Sequence, residues 1–67
     1  MITFDKLWKT MKEKGVTKYK LRETYDFSSS TIMRLMANLN TETKTLDRLC
    51  NILDCEIEDI MSHVKEK

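Results

Sequence analysis

Sixty-seven residues, 34% of them charged and 40% hydrophobic, make one domain near the lower size at which a chain folds without disulfides or metal. One Gly and no Pro exclude sandwiches and barrels, which need many turns, and leave an all-α domain over residues 1–67. A net charge of +1 argues weakly against a strong nucleic-acid binder, while no apolar run near the ~18 residues of a membrane span and no signal peptide with a small-residue cleavage site lead to the expectation of a cytoplasmic chain off membranes.

Five helices are expected in chain order. Thr3 is placed to cap the first, which runs to about Lys14 with Phe4, Leu7, Trp8 and Met11 at i, i+3, i+4 and i+7 on one face. Gly15 stops it, because Gly tolerates the left-handed conformation past a helix end. Thr17 caps the second helix, with Leu21 and Thr24 or Tyr25 inward; Thr17-x-x-Lys20 lacks the glutamate of a capping box, so the cap is a simple one. After Asp26-Phe27, Ser28 caps a third helix reaching about Ala37, with Ile32, Leu35 and, at the margin, Met36 inward. A polar loop, Asn38 to Glu42, leads to a fourth helix near Thr43–Leu53 with the stripe Leu46, Leu49, Cys50 and Leu53. Asp54-Cys55-Glu56 separates it from a last helix carrying Ile57, Ile60, Met61 and Val64, and the tail frays from about residue 65.

These stripes are core. Phe4 and Trp8 could line a ligand pocket, but at roughly 25 cal/mol per Å² so small a domain needs them buried, and no small-molecule ligand is evident. Cys50 and Cys55, with one distant His, are too few for a zinc site; they are expected as free thiols, as suits the cytoplasm. His63 falls near the end of the last helix, where it complements the helix dipole. No nucleophile–base pair, carboxylate pair or phosphate-cradling Gly loop is present, so neither enzyme activity nor a cofactor or metal is expected.

Charge is unevenly spread. Residues 1–34 hold eight Lys or Arg against four acidic residues, a net of +4, and residues 35–67 hold four against seven, a net of −3. The basic half contains two short helices joined by a tight turn, T-K-Y-K-L-R-E-T-Y, D-F-S, S-S-T-I-M-R-L. The second of them carries small polar residues and Arg34 away from its apolar side, which is how small proteins present side chains to the major groove of DNA.

The order and spacing of F-D-K-L-W, of L-R-E followed by a turn and S-S-S-T-I, and of T-L-D-R-L-C-N-I-L-D-C-E-I-E-D-I-M resemble the Cro/CI-type (phage-repressor, xenobiotic-response-element) helix-turn-helix family. The likeness extends over nearly the whole chain and is nearest to small stand-alone bacterial or mobile-element regulators. It implies a compact five-helix bundle of the lambda-repressor-like type with the motif at helices 2 and 3. Two positions depart from the family's habit. The turn residue, usually Gly at positive φ, is Asp26, a residue that tolerates that conformation better than most at ~1 kcal/mol. The fifth motif position, usually Ala, is Arg22, whose guanidinium must snorkel out toward Asp26 or a phosphate.

The resemblance further implies a sequence-specific transcriptional regulator that places the helix from Ser28 to about Ala37 in the major groove of double-stranded DNA. Ser29, Ser30, Met33 and Arg34 fall where base-reading side chains sit, with Arg34 matching guanine O6 and N7 in a bidentate fork and Met33 suited to a thymine methyl. Lys18 and Ser28 fall where phosphate is held, with Asn38 and Asn40 on the other side. One recognition helix covers few base pairs, so a homodimer on a two-fold operator is expected, joined through the C-terminal helix. The competing expectation is a protein-interaction module, antitoxin-like or a regulator's partner, on the same scaffold.

Overall fold

Helices α1 (Asp5–Lys14), α2 (Lys18–Glu23), α3 (Ser29–Met36) and α4 (Thr43–Leu53) form the body of the computed structural model, which describes residues 1–65. A two-residue strand, β1 (Ile2–Thr3), precedes them, and a 3-10 turn (Ile57–Asp59) and a second strand, β2 (Ser62–His63), follow. The fold is therefore mostly helical with four α-helices, not an all-α five-helix bundle. The expected last helix is replaced by the 3-10 turn and a strand antiparallel to β1, in the register Ile2↔His63 and Thr3↔Ser62.

Each helix contributes at least one fully buried leucine: Leu7, Leu21, Leu35, and Leu49 with Leu53; Ile60 comes in from the closing segment. Phe4, Met11, Val16, Phe27, Ile32 and Leu46 complete the core, with Trp8, Tyr25, Cys50 and Met61 half-buried against it. Val16 and Phe27 lie outside any helix and so outside any helical stripe. Met36, by contrast, is 52% exposed; at the last position of α3 it sits one residue past Leu35 and is turned off the core face. Thr24 is exposed as well, leaving Tyr25 as the inward residue of that pair.

The expected Thr3 cap is absent because Thr3 is engaged elsewhere. Its backbone pairs with Ser62, and α1 begins one residue later with Phe4 as N-cap and no side-chain cap bond. Phe4 is instead fixed by its N–H, which donates to Asn38 Oδ1 at 2.8 Å. Thr17 and Ser28 cap as expected: Thr17 Oγ1 accepts from Lys20 N at 3.0 Å and Ser28 Oγ from Thr31 N at 3.1 Å. Gly15 ends α1 at φ 72°.

The closing segment departs from helix for reasons visible at each step. Asp54 takes φ 49°, and the N–H groups of Asp54 and Cys55 both turn back to Cys50 O. Glu56 N then donates to Asp59 Oδ2 at 3.0 Å, giving one tight turn that drops Ile60 into the core. Beyond it the backbone is drawn into the ladder with β1: Val64 N donates to Met1 O at 2.7 Å, and the Met1 ammonium to Val64 O at 2.8 Å. Ile57 and Val64, placed on the apolar stripe of the expected last helix, are about half exposed, at 47% and 50%. His63 is an exposed strand residue with no helix dipole to complement, and no C-terminal helix is present among the described residues to form a dimer surface. The fraying expected at the tail concerns mainly residues 66–67, which lie outside the described residues.

Cys50 and Cys55 are free thiols, as expected. They lie against each other, and burial pushes both above the ordinary thiol range, so at neutral pH they remain protonated. No helix among the described residues is long and apolar enough to cross a membrane.

Candidate nucleic-acid interface

α2, the turn at Tyr25–Phe27 and α3 form the corner that carries the candidate site. Local chemistry builds it: Thr17 starts α2, Asp26 reverses the chain at φ 61°, and Ser28 starts α3. Asp is one of the few side-chain-bearing residues that visits this left-handed region readily, so the turn forms without the usual glycine. Phe27 N closes it with a bond to Leu21 O at 3.0 Å, and the Phe27 ring is buried beneath.

A residue that sequence reasoning passed over pins this turn from behind. Arg48 on α4 places its guanidinium 4.3 Å from the Phe27 ring centroid, and its Nη2 donates to Tyr25 O. One side chain thus ties α4 to both flanks of Asp26 by a cation–π contact and a charge-assisted hydrogen bond. In sequence Arg48 stands between two stripe residues and reads only as a solvated helix position; the single hint was its spacing outside the apolar face.

On the outer side, Ser29, Ser30, Met33 and Arg34 are all exposed on α3, the face opposite Ile32 and Leu35. Met33 is 67% exposed, an apolar side chain standing in water on a flank otherwise made of serines and an arginine. Arg34 borders a polar cleft with Thr31, Asn40, Thr41, Glu42 and Thr45, between α3 and the start of α4. Among the described residues its guanidinium makes no ion pair, even with Glu42. Ser28 Oγ accepts from Thr31 N and also lies 2.8 Å from Thr31 Oγ1 and 3.4 Å from Ser30 Oγ, so most of its hydrogen-bonding capacity is used within the first turn of α3.

Lys18 is held in place. Its Nζ sits 4.9 Å from the Trp8 ring centroid, which makes the half-buried Trp8 a platform for this cation as well as a core residue. Lys18 also borders a cleft between α2 and α3, with Arg22, Ser29 and Met33. Asn38 and Asn40 differ. Asn38 takes φ 56° at the end of α3 and its Oδ1 accepts from Phe4 N, a structural duty that leaves only its amide N–H groups. Asn40 is exposed on the Arg34 side. Within residues 17–37 four cations (Lys18, Lys20, Arg22, Arg34) stand against Glu23 and Asp26, a net of +2.

The described residues contain no group of three or more His, Cys, Asp or Glu able to hold a metal. What the corner offers is a helix edge of hydroxyls, one thioether and one guanidinium, flanked by a fixed ammonium: donors for base edges and phosphates.

Comparison with known proteins agrees with this geometry. Residues 6–66 match the family described as "Cro/C1-type HTH DNA-binding domain". Among solved structures, the crystal structure of the transcriptional regulator VanUg (Form II) is similar over 97% of this chain and 87% of that one, at 32% identity and a TM-score of 0.86. No curated relative matches.

Proposed function

The chain belongs to the Cro/C1-type helix-turn-helix DNA-binding family, and from that premise we propose that it is a sequence-specific transcriptional regulator that inserts α3 into the major groove. The family's activity is binding, not catalysis. The observation that carries the proposal is the face of α3: Ser29, Ser30, Met33 and Arg34 are exposed together while Ile32 and Leu35 anchor the same helix in the core. Arg34 reads guanine through its fork, Met33 packs on a thymine methyl and the serines accept either donor or acceptor. Lys18, steadied by Trp8, holds backbone phosphate at the start of α2. Ser28 meets phosphate at the start of α3, and Asn40 and the amide of Asn38 hold it past the other end of that helix. The protein acts on DNA in the cytoplasm.

Two copies share a two-fold operator in this reading, because one helix spans too few base pairs for a useful specificity ratio. With no C-terminal helix among the described residues to join them, the supporting feature is the surplus apolar surface of the closing segment. Ile57 and Val64 stand about half exposed, and Ile57 and Met61 line one groove with Leu46, Cys50 and Cys55. Sedimentation at micromolar concentration is expected to give a dimer; a monomer on both free and DNA-bound protein would refute it.

Selection of bound sites from random duplex DNA tests the central reading. The parent is expected to enrich a G-containing half-site, and Arg34→Ala to relax that G with a loss of ~1–3 kcal/mol in discrimination. Failure to enrich any motif at low salt would overturn the DNA reading and favour a protein partner on this scaffold.

A further inference from the structure

Arg22 occupies a motif position at which the family pattern carries a small residue, and the structure shows where its side chain goes. It lies one turn beyond Lys18 on α2 and borders the cleft, about 280 Å³, that separates α2 from α3. The remaining walls are Ser29, Ile32, Met33 and Met36. A long side chain at a close helix crossing can be accommodated only along such a groove, its methylenes against apolar neighbours and its charged head at the mouth.

Two alternative duties for that guanidinium are not taken up. Asp26, four residues on, forms no ion pair with it among the described residues, and neither does Glu23. The contrast with Arg48 is direct: that guanidinium lies over Phe27 and donates to Tyr25 O, so it belongs to the fold. Arg22 does not.

On this basis, and resting on the DNA reading above, we propose that Arg22 is a DNA-contacting residue: with Lys18 it seats one backbone phosphate at the mouth of the α2–α3 cleft, on the flank of the recognition helix occupied by Ser29 and Met33. Lys18 provides a point charge steadied by Trp8; Arg22 provides a planar fork that can hold two phosphate oxygens. The pair acts on the sugar–phosphate chain, so it adds affinity and fixes register without selecting a base.

Binding of the purified chain to a duplex carrying its selected site, and to an unrelated duplex, measured by fluorescence anisotropy across a salt series, tests this with Arg22→Ala and Arg22→Lys. Arg22→Ala is expected to weaken binding to both duplexes by the same factor and to make the slope of log K against log salt shallower by ~1. The parent's advantage over the variant then shrinks about 3.5-fold between 50 and 200 mM salt, the change that one phosphate contact of slope ~0.9 produces. Arg22→Lys should keep the slope. Thermal unfolding should show Arg22→Ala at least as stable as the parent, since Ala suits both a close crossing and a helix interior. An unchanged salt slope, or a loss confined to the selected site, would overturn the phosphate assignment while the parent's own binding left the DNA reading intact. A drop in stability would show instead that Arg22 serves the fold. If the parent binds neither duplex at low salt, the DNA reading itself fails and the assignment with it.

Discussion

The corner at residues 17–37 and the closing segment at 54–65 are of similar character in sequence, each alternating apolar residues with polar ones, yet they fold by different rules. In the corner the bonds that start each helix and close the turn are local, Ser28 Oγ to Thr31 N, Thr17 Oγ1 to Lys20 N and Phe27 N to Leu21 O, and Arg48 braces the finished turn from α4. In the closing segment the decisive bonds reach across the whole chain, Val64 N to Met1 O and the Ile2↔His63 pairing. Helix signals predict structure where partners lie three or four residues away, and lose to a ladder whose partner lies some sixty residues upstream. The functional face therefore stands on the region built from local bonds, and the closing segment acts as a clasp that returns residues 62–64 to β1 at the start of α1.

The largest effect expected from breaking this contrast is at Ile60. It is the one residue of the closing segment that is fully buried, so the clasp depends on it. Ile60→Ala should cost ~2–5 kcal/mol through lost transfer energy and a cavity, a large share of the stability of a domain this size. Urea unfolding should show a lower midpoint, with the exchange protection of Ile2–Thr3 and Ser62–His63 lost first. A loss under ~1 kcal/mol would mean that the clasp is dispensable and the four helices stand alone.

The same contrast explains which parts of the molecule could be foreseen. Four helices and both Thr17 and Ser28 caps follow from spacing and cap chemistry, and so does the core face formed by Leu7, Leu21, Leu35, Leu46, Leu49 and Leu53. The separation of α3 into an inner Ile32–Leu35 side and an outer Ser29, Ser30, Met33, Arg34 side is legible for the same reason. The rest depends on distant neighbours. Thr3 has the chemistry of an N-cap and becomes a strand residue because Ser62 arrives beside it. Asn38 has the chemistry of a phosphate contact through its amide N–H groups, and what the spacing does not reveal is the second duty of its carbonyl, which accepts from Phe4 N, thirty-four residues away. Spacing puts Trp8 on the apolar face and Arg48 off it, but their partners, Lys18 and the Tyr25–Phe27 turn, lie on other elements and cannot be read from it.

A smaller effect is expected within the corner. Ser28→Ala removes the bond to Thr31 N and should cost about 1 kcal/mol, the usual penalty for losing a serine cap. Because the corner's bonds are local, the damage should remain local. Amide exchange should quicken in the first turn of α3 while α1, α4 and the β1–β2 ladder retain protection to within the global change in stability. Uniform loss of protection throughout the chain would show that the corner is as cooperative as the clasp.

The smallest effect sets the two kinds of region side by side in a single substitution type. Asp26, Asn38 and Asp54 all hold left-handed backbone, at φ 61°, 56° and 49°, where Gly has no Cβ to strain. Asp26 makes no side-chain bond among the described residues, so Asp26→Gly relieves strain of ~1 kcal/mol against an added unfolded-state entropy of ~0.4–1 kcal/mol. The net gain, at most about 0.5 kcal/mol, should raise the melting temperature by up to ~2–4 °C. Asn38→Gly relieves similar strain but abandons the bond from Phe4 N, leaving a part-buried donor unpaired at ~1–3 kcal/mol, and should therefore lower it. Opposite signs for these two glycines would establish that position 26 answers only to its own φ, whereas position 38 is also held by its side-chain bond to α1. Equal signs would mean that the Asn38–Phe4 bond contributes little and that both reversals are governed by φ alone.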